Sequence, residues 1–412
     1  MTTELRSLRP AEWDRWYDGL LRAFGAVGVF DRELYRELTE IDRSVAAWDG
    51  GEVVGSSSMV SFRMTVPGGA LVPAAGLSMV HVAATHRRRG ILRSMMRRQL
   101  DETRAAGVEP LSILTASEPH IYGRFGYGMA TRRLDADVDT SRVVLQAPPE
   151  SEGIRLRIVD DAASVSPECE AVYARMVPER AGMLERLPAW ERRPLMDLPE
   201  NRDGATPLAC VLATDGSGEV RGYARYALSA GGDDHGTSRG RVLLRDLEAL
   251  DTAAYGALWR FLFEIDLMPE LCVRERPVDD AWLHMVGDSV RLCRPRWRDM
   301  LFARPVEVGA ALAARTYSAP VDVVFDVEDA FCPWNEGRWR LSGDSKGATC
   351  ERTGDAAELA LSVRELGAVY LGGTALRTLA SAGRVRELRS GALGAASRAF
   401  ATDQAPWLSH GF

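Results

Sequence analysis

The stretch "VHVAATHRRRGILRSMMRRQL", Val80 to Leu100, constrains the fold more than any other part of the chain. An apolar segment runs into three consecutive arginines and a glycine, after which Leu92, Met96 and Leu100 recur every four residues, on one face of a helix. A strand that feeds through a glycine turn into an amphipathic helix is a building block of α/β folds. It also gathers unpaired backbone N–H groups and the positive end of a helix at one point, which is a place for an anion. Arginines beside that point offer bidentate donors to phosphate oxygens, and Gly90 lets the backbone come close. The expected ligand is a diphosphate-like group held by backbone together with Arg87, Arg88 or Arg89. The competing reading is a solvated basic helix start. The segment is neither a G-x-x-x-x-G-K-[ST] nor a G-x-G-x-x-G loop.

Composition narrows the ligand. The formal net charge is −7, so no global field attracts nucleic acid or an anionic membrane, and anion binding must be local. Lys346 is the only lysine; arginine carries nearly all the positive charge, a bias expected of a GC-rich genome. Six cysteines lie scattered without a C-x-x-C pair, which predicts neither a disulfide framework nor a zinc site. The N-terminus lacks an apolar signal core, and no stretch approaches the ~18 apolar residues of a membrane span. A cytoplasmic setting with no membrane span and no nucleic-acid partner is the expectation.

At 412 residues the chain should hold two to four domains of roughly 100–200 residues. Apolar spacing predicts helices over 10–24 and 32–41, the second capped by Asp31. A hairpin should turn at Asp49-Gly50-Gly51, and a strand over 77–82 should lead into the arginine loop. "LSILTAS" reads as a strand, "PHIYGRFGYG" as a short helix and turn, and "TRRLDADVD" as another strand. The polar, proline-containing "QAPPESEG" suggests a first boundary, giving domain 1–148. The middle part, 149–298, repeats the style with strands "IRLRIV", "RGYARYAL" and "RVLLRDLEAL" and helices near 169–175, 187–192 and 253–265, but has no arginine-glycine turn. A second copy of the fold there would have lost its phosphate site. In the last part, 299–412, "VDVVFDVEDAFCPWNEGRWRLSG" and "LALSVRELGAVYLGG" read as short strands, followed by a helix "TALRTLASAG". The tail "APWLSHGF" carries large aromatics where a terminus ordinarily frays.

Arg87-Arg88-Arg89-Gly90-Ile91-Leu92 resembles the acetyl-CoA loop of the Gcn5-related N-acetyltransferases (GNAT), [RQ]-x-x-G-x-[GA], with Leu92 departing from the small final residue. In that family the preceding strand splays from its neighbour, and its backbone, here around Val80 and Val82, pairs with the pantetheine arm. "IYGRFGYG" resembles the family's "FY-x-x-x-G-F" segment and assigns Tyr122 a place near the thioester sulfur. "AGLSMVHVAATHRRRGILRSMM", "TASEPHIYGRFGYGMAT", "LGAVYLGGTALRTLASAGRVRE" and a terminal Phe412 together resemble the enhanced intracellular survival (Eis) family of actinobacterial acetyltransferases. The resemblance implies an α/β (α+β) chain of two GNAT-like domains, the second degenerate, followed by a sterol-carrier-protein-like domain. It implies acetyl-CoA as cosubstrate without a metal, and a small-molecule amine acceptor, aminoglycoside-like or polyamine. It also implies a homo-oligomer, often a hexamer, with Tyr122 as general acid and the Phe412 carboxylate as general base.

Each assignment has a competitor. Tyr122 also reads as a core aromatic with a bonded hydroxyl. The thioester carbonyl would be polarised by a strand N–H, at Val80, and the helix start at Ile91 would meet the phosphates. Ser117 is either a hydrogen-bond partner for the cofactor or a turn or N-cap serine. An α-carboxyl titrating near 3.5 is a poor base unless buried or relayed by water, so His410 competes with Phe412. His81 could face the substrate or, like His86, belong to the scaffold, and Glu118 reads as a helix-start acid. Asp31 and Glu33 are the early carboxylates a polycation would want, whereas Gly411, before Phe412, is neutral. The alternative function is an acyl-CoA or lipid-binding sensor or carrier without turnover.

Overall fold

Gly50, at φ 58°, turns the N-terminal hairpin, the left-handed value a two-residue loop requires. In the computed structural model, which describes residues 3–25, 31–232 and 239–412, that hairpin belongs to a seven-stranded sheet. Its strands are β1 (Glu4–Ser7), β2 (Ser44–Asp49), β3 (Glu52–Thr65), β4 (Leu71–Val82), β5 (Leu111–Leu114), β6 (Gly128–Met129) and β7 (Phe302–Pro305), in spatial order β1-β2-β3-β4-β5-β7-β6. Helices α1 (Trp13–Phe24), α2 (Arg32–Leu38) and α3 (Ile91–Ala106) accompany it. Asp31 caps α2 as its position predicts, accepting the Leu34 N–H at 3.0 Å. That helix stops at Leu38, three residues short of expectation, where Thr39 turns extended and its hydroxyl bonds the Tyr35 carbonyl. On α3, Met96 and Leu100 are fully buried and Leu92 half-buried, the face the four-residue spacing predicts, and Met95 is buried beside them.

Two compact units divide the chain: residues up to Thr131 with Arg180–Glu185 and Met300–Phe412, and Arg132–Glu179 with Arg186–Asp299. The change of sheet therefore falls at Thr131, ahead of the proline-rich break expected to end the first domain at 148. The cause is strand pairing: Arg132–Asp139 is hydrogen-bonded between Glu270–Arg276 and Arg296–Asp299 in the second unit's sheet. In the first unit, β7 is inserted between β5 and β6.

The second unit's sheet runs Arg296–Asp299, Arg132–Asp139, Glu270–Arg276, Arg241–Ala249, Val220–Ser229, Ala209–Thr214, Arg155–Val159. The helix Thr252–Phe263 buries Leu258, Trp259 and Leu262 in its core. The C-terminal part of the first unit carries a five-stranded sheet, Gly347–Arg352, Gly337–Asp344, Val321–Glu328, Leu359–Ser362, Val385–Glu387. Within "LALSVRELGAVYLGG", expected to be strands, only Leu359–Ser362 is one. Ser362 caps the helix Val363–Val369 through the Arg364 N–H at 3.2 Å, with Glu365 bonded to its hydroxyl. The Ser-x-x-Glu spacing of a capping box was the signal for it. Among the described residues no helix is long and apolar enough to cross a membrane.

Candidate active site

Strands β4 and β5 pair only over Ala74–Gly76 against Leu111–Ile113. Beyond Gly76, β4 parts from β5 while staying paired with β3, and a bulge sets Met79 and Val80 opposite Ser57, between the pairs Ser58 with Ser78 and Ser56 with His81. Met79 takes a φ of 53° there. The bulge bends β4 away from β5, and among the described residues no strand pairs with the backbone from Leu77 to Val82 on that side. Half-buried Val80 and Val82 lie on this stretch.

The splayed strand delivers the chain to the arginine loop. Arg88 (φ 64°) and Gly90 (φ 82°) are left-handed, which brings the backbone sharply round into α3. Gly90 is the N-cap and no side chain accepts from the first turn of α3, so its leading N–H groups remain available to an anion. Arg87, Arg88 and Arg89 are exposed and, among the described residues, have no ion-pair partner. Ile91 is buried, its methyl tight above Gly55, where an added Cβ would lie 3.0 Å away. His86 belongs to the scaffold: its Nε2 is 2.9 Å from Asp49 and its Nδ1 2.8 Å from Thr85.

Tyr122 lies on a 3-10 turn, Pro119–Phe125, that closes on Gly126 at φ 84°. Its ring meets Tyr127 edge-on at 6.2 Å, and its hydroxyl has no hydrogen bond among the described residues. Burial pushes the phenol up to about 12. Tyr127 anchors the turn through Ser112 at 2.7 Å, which in turn donates to the Ala75 carbonyl at 3.0 Å. Arg304, on β7, donates to the Phe125 carbonyl and pairs with Asp329 at 2.5 Å, both side chains buried. Neither residue stood out in the sequence, because a buried Arg–Asp pair has no local pattern. Ser117 is exposed and does not cap the turn; the N-cap position belongs to Glu118, which makes no cap bond and sits 3.3 Å from His120.

The tail docks on the same unit. Trp407 and Leu408 are buried, and the Trp407 N–H reaches the Ala181 carbonyl at 2.8 Å. The Phe412 ring lies 4.7 Å from that of Phe62, against the bare backbone of Gly76, and a Phe412 oxygen accepts from Thr115 Oγ1 at 3.2 Å. Phe412 therefore sits where β4 and β5 separate. His410 is buried, with Nδ1 3.4 Å from the Gly411 carbonyl. His81 does not face this opening: its imidazole lies against Gly19 of α1 and bonds Ser56 at 2.5 Å. Ser56 gives its one proton to the Met79 carbonyl at 2.6 Å, so His81 must donate from Nδ1. Burial, with Arg22 nearby, lowers that imidazole to about 4. Asp31 is committed to its cap, and Glu33 is exposed on α2.

The second unit keeps the splay without the site. Arg241–Ala249 pairs in parallel with Glu270–Arg276 only over Arg241–Leu243, and a bulge follows opposite Arg225 and Tyr226. Asp251 caps the following helix at 2.8 Å from the Ala254 N–H and pairs with Arg221. Arg276 fills the gap between the strands, donating to the Leu247 carbonyl at 2.5 Å and to Asp280 at 2.7 Å. A carboxylate at the helix start repels the phosphate that Gly90 would admit. A second acidic group, Asp137, Glu270 and Cys272, already has cations, with Arg274 and Arg296 at 2.5 and 2.6 Å from Asp137.

Comparison with known proteins agrees with this layout. Residues 4–130 match a family model described as an acetyltransferase (GNAT) domain, residues 182–305 a second GNAT model, and residues 308–409 a sterol carrier protein domain. An N-acetyltransferase of Streptomyces avermitilis, described as uncharacterized, is 60% identical over the whole of both chains. The N-acetyltransferase Eis of Mycobacterium tuberculosis is 35% identical over 92% of this chain and 91% of its own. The crystal structure of Eis1 from Mycobacterium abscessus superposes with a TM-score of 0.83 at 33% identity, covering all of both chains. A GCN5-related N-acetyltransferase of Anabaena variabilis shares the fold, at a TM-score of 0.84 and 21% identity over both chains.

Proposed function

The chain belongs to the Eis family of GNAT N-acetyltransferases, and from that premise we propose that it moves the acetyl group of acetyl-CoA directly to an amine of a small molecule, aminoglycoside-like or polyamine. One observation carries this reading: the open start of α3, its loop arginines and the Tyr122 hydroxyl, none of which has a partner among the described residues, and the β4 edge that parts from β5 all belong to one compact unit.

In the proposed reaction the N–H groups at Ile91 and beyond, with Arg87 and Arg88, hold the diphosphate, while Gly90 admits it. The β4 backbone at Val80 and Val82 pairs with the pantetheine amides, and a β4 N–H at Val80 polarises the thioester carbonyl. The amine nitrogen attacks that carbonyl carbon, the C–N bond forms and the C–S bond breaks. One amine proton goes to base and the departing sulfur takes a proton from Tyr122. A phenol raised to about 12 stays protonated at physiological pH. Donation to a free thiolate, whose thiol titrates at about 8.5, would be uphill, so the transfer must accompany C–S cleavage. The base is the Phe412 carboxylate, working through water because its own basicity is low, and His410 is its competitor. Ser117, exposed beside the turn, is assigned to the outer part of the cofactor. The oligomer is proposed to be a cytoplasmic homo-hexamer, for which light scattering at monomer mass would count as refutation.

The test is a thiol-release assay with acetyl-CoA against polyamines, aminoglycosides and lysine peptides, read together with the acetyl mass gain of the acceptor. Release that depends on one amine class confirms the transferase and identifies that class. Acetyl-CoA binding with no release across the panel would overturn turnover in favour of a sensor or carrier.

A further inference from the structure

The loop from Asp329 to Asn335, in the sterol-carrier-like part of the chain, touches both halves of the proposed acetyl-transfer site. On one side, Phe331 receives the guanidinium groups of Arg97 at 4.2 Å and Arg93 at 5.4 Å, both on α3, and its carbonyl accepts from Arg97. Trp334 takes Arg104, further along the same helix, at 4.6 Å. On the other side, the Phe331 ring packs edge-on against Phe125 at 5.0 Å, and Asp329 holds Arg304, which also donates to the carbonyl of Phe125, the last residue of the Tyr122 turn. The loop is itself fixed: Asp329 also accepts from the Cys332 N–H at 2.9 Å and from Asn335 at 3.0 Å, and Trp334 donates to the Val306 carbonyl at 2.8 Å. Gly126 leaves no slack, since a Cβ there would lie 1.8 Å from the Arg304 guanidinium.

We infer that this loop is a brace that sets the distance between the diphosphate-binding helix and the Tyr122 hydroxyl, with Phe331 positioning α3 and Asp329 positioning the tyrosine turn. The brace rests on the acetyl-transfer reading above. It gives the sterol-carrier-like part a role in the reaction that requires no lipid. A thioester held from one end and protonated from the other depends on that distance, and a misplacement of about 1 Å costs on the order of 100-fold in rate.

The experiment is a double-mutant cycle read in the KM for acetyl-CoA. Arg97→Met and Phe331→Leu should each raise that KM about fivefold, and the double variant should be no worse than either single; Phe331→Tyr, which keeps the aromatic face, should restore it. Asp329→Asn should lower kcat about tenfold with the acetyl-CoA KM within twofold, a split that general loss of stability would not produce. Wild-type KM in both single variants, or fully additive effects, would overturn the role of Phe331, and an unchanged kcat in folded Asp329→Asn would overturn that of Asp329. If Asp329→Asn does not fold, the Arg97 and Phe331 cycle decides alone. Absence of acetyl-CoA-dependent thiol release in the wild-type protein sinks the acetyl-transfer reading, whereas an active wild type with indifferent variants sinks only the brace.

Discussion

Tyr122 is half-buried and His81, on the splayed strand β4, is buried, and loss of water shifts the two groups in opposite directions. Raised to about 12, Tyr122 keeps its proton at physiological pH, and in the proposed reaction gives it up only as the C–S bond breaks. Tyr122→Phe should therefore lower kcat by about 100-fold while acetyl-CoA affinity, measured by titration, stays within twofold. His81, lowered to about 4 from 6.5, is neutral in the folded protein. The unfolded chain binds the extra proton between those values, so the stability tied to a neutral His81 is intact above 6.5 and lost as pH falls toward 4, amounting to about 3 kcal/mol. Melting temperature should drop between about pH 7 and pH 5, and His81→Gln should flatten part of that drop; an identical pH slope in the variant would refute the assignment. The turn that carries Tyr122 was legible because its neighbours form a recognisable segment. The place of His81 was not, since strand alternation says that it shares a face with some residues but not whether that face meets α1 or the open side.

At the scale of elements, the tail depends on places where side chains are missing. Gly182, at φ 93°, would put a Cβ 2.8 Å from the Trp407 carbonyl, and Gly76 would drive one 2.5 Å from the Phe62 ring and 3.0 Å from that of Phe412. Gly182→Val should release the tail, cutting turnover about tenfold with acetyl-CoA affinity retained, as misplacement of a reacting group does; a variant with wild-type turnover would show that the docking at Trp407 is dispensable. Periodicity correctly placed α3, the hairpin and the Asp31 cap, all of which are fixed by neighbours within a few residues. It missed the first half of β4, because "LVPAAG" has small residues and a proline where a strand is expected to be branched. Pro73 lies one position before pairing with β5 begins, opposite Arg63.

Across the whole molecule, two copies of one plan differ at the helix start: among the described residues, Gly90 leaves that of α3 open whereas Asp251 caps its counterpart. Asp251 and Arg276 already satisfy the helix start and the strand gap in the second unit, so calorimetric titration should find one acetyl-CoA per chain, and a stoichiometry of two would contradict this account. The expectation of a lost phosphate site rested on an absent motif; Asp251 and Arg276, which occupy the helix start and the strand gap, emerge only when the strands are aligned. The exchange of strands between the two sheets was equally invisible, since Arg304 and Phe125 meet across 179 residues of sequence, a separation over which no local pattern speaks. That exchange also sets a timetable. While the chain is being synthesised, β5 emerges early but has no neighbour on its outer edge until β7 follows, by which time the intervening unit has left the ribosome. A nascent N-terminal sheet with an open edge is a template for the wrong partner. The time needed to make the middle of the protein is therefore the interval in which that edge of the first sheet lacks its native neighbour.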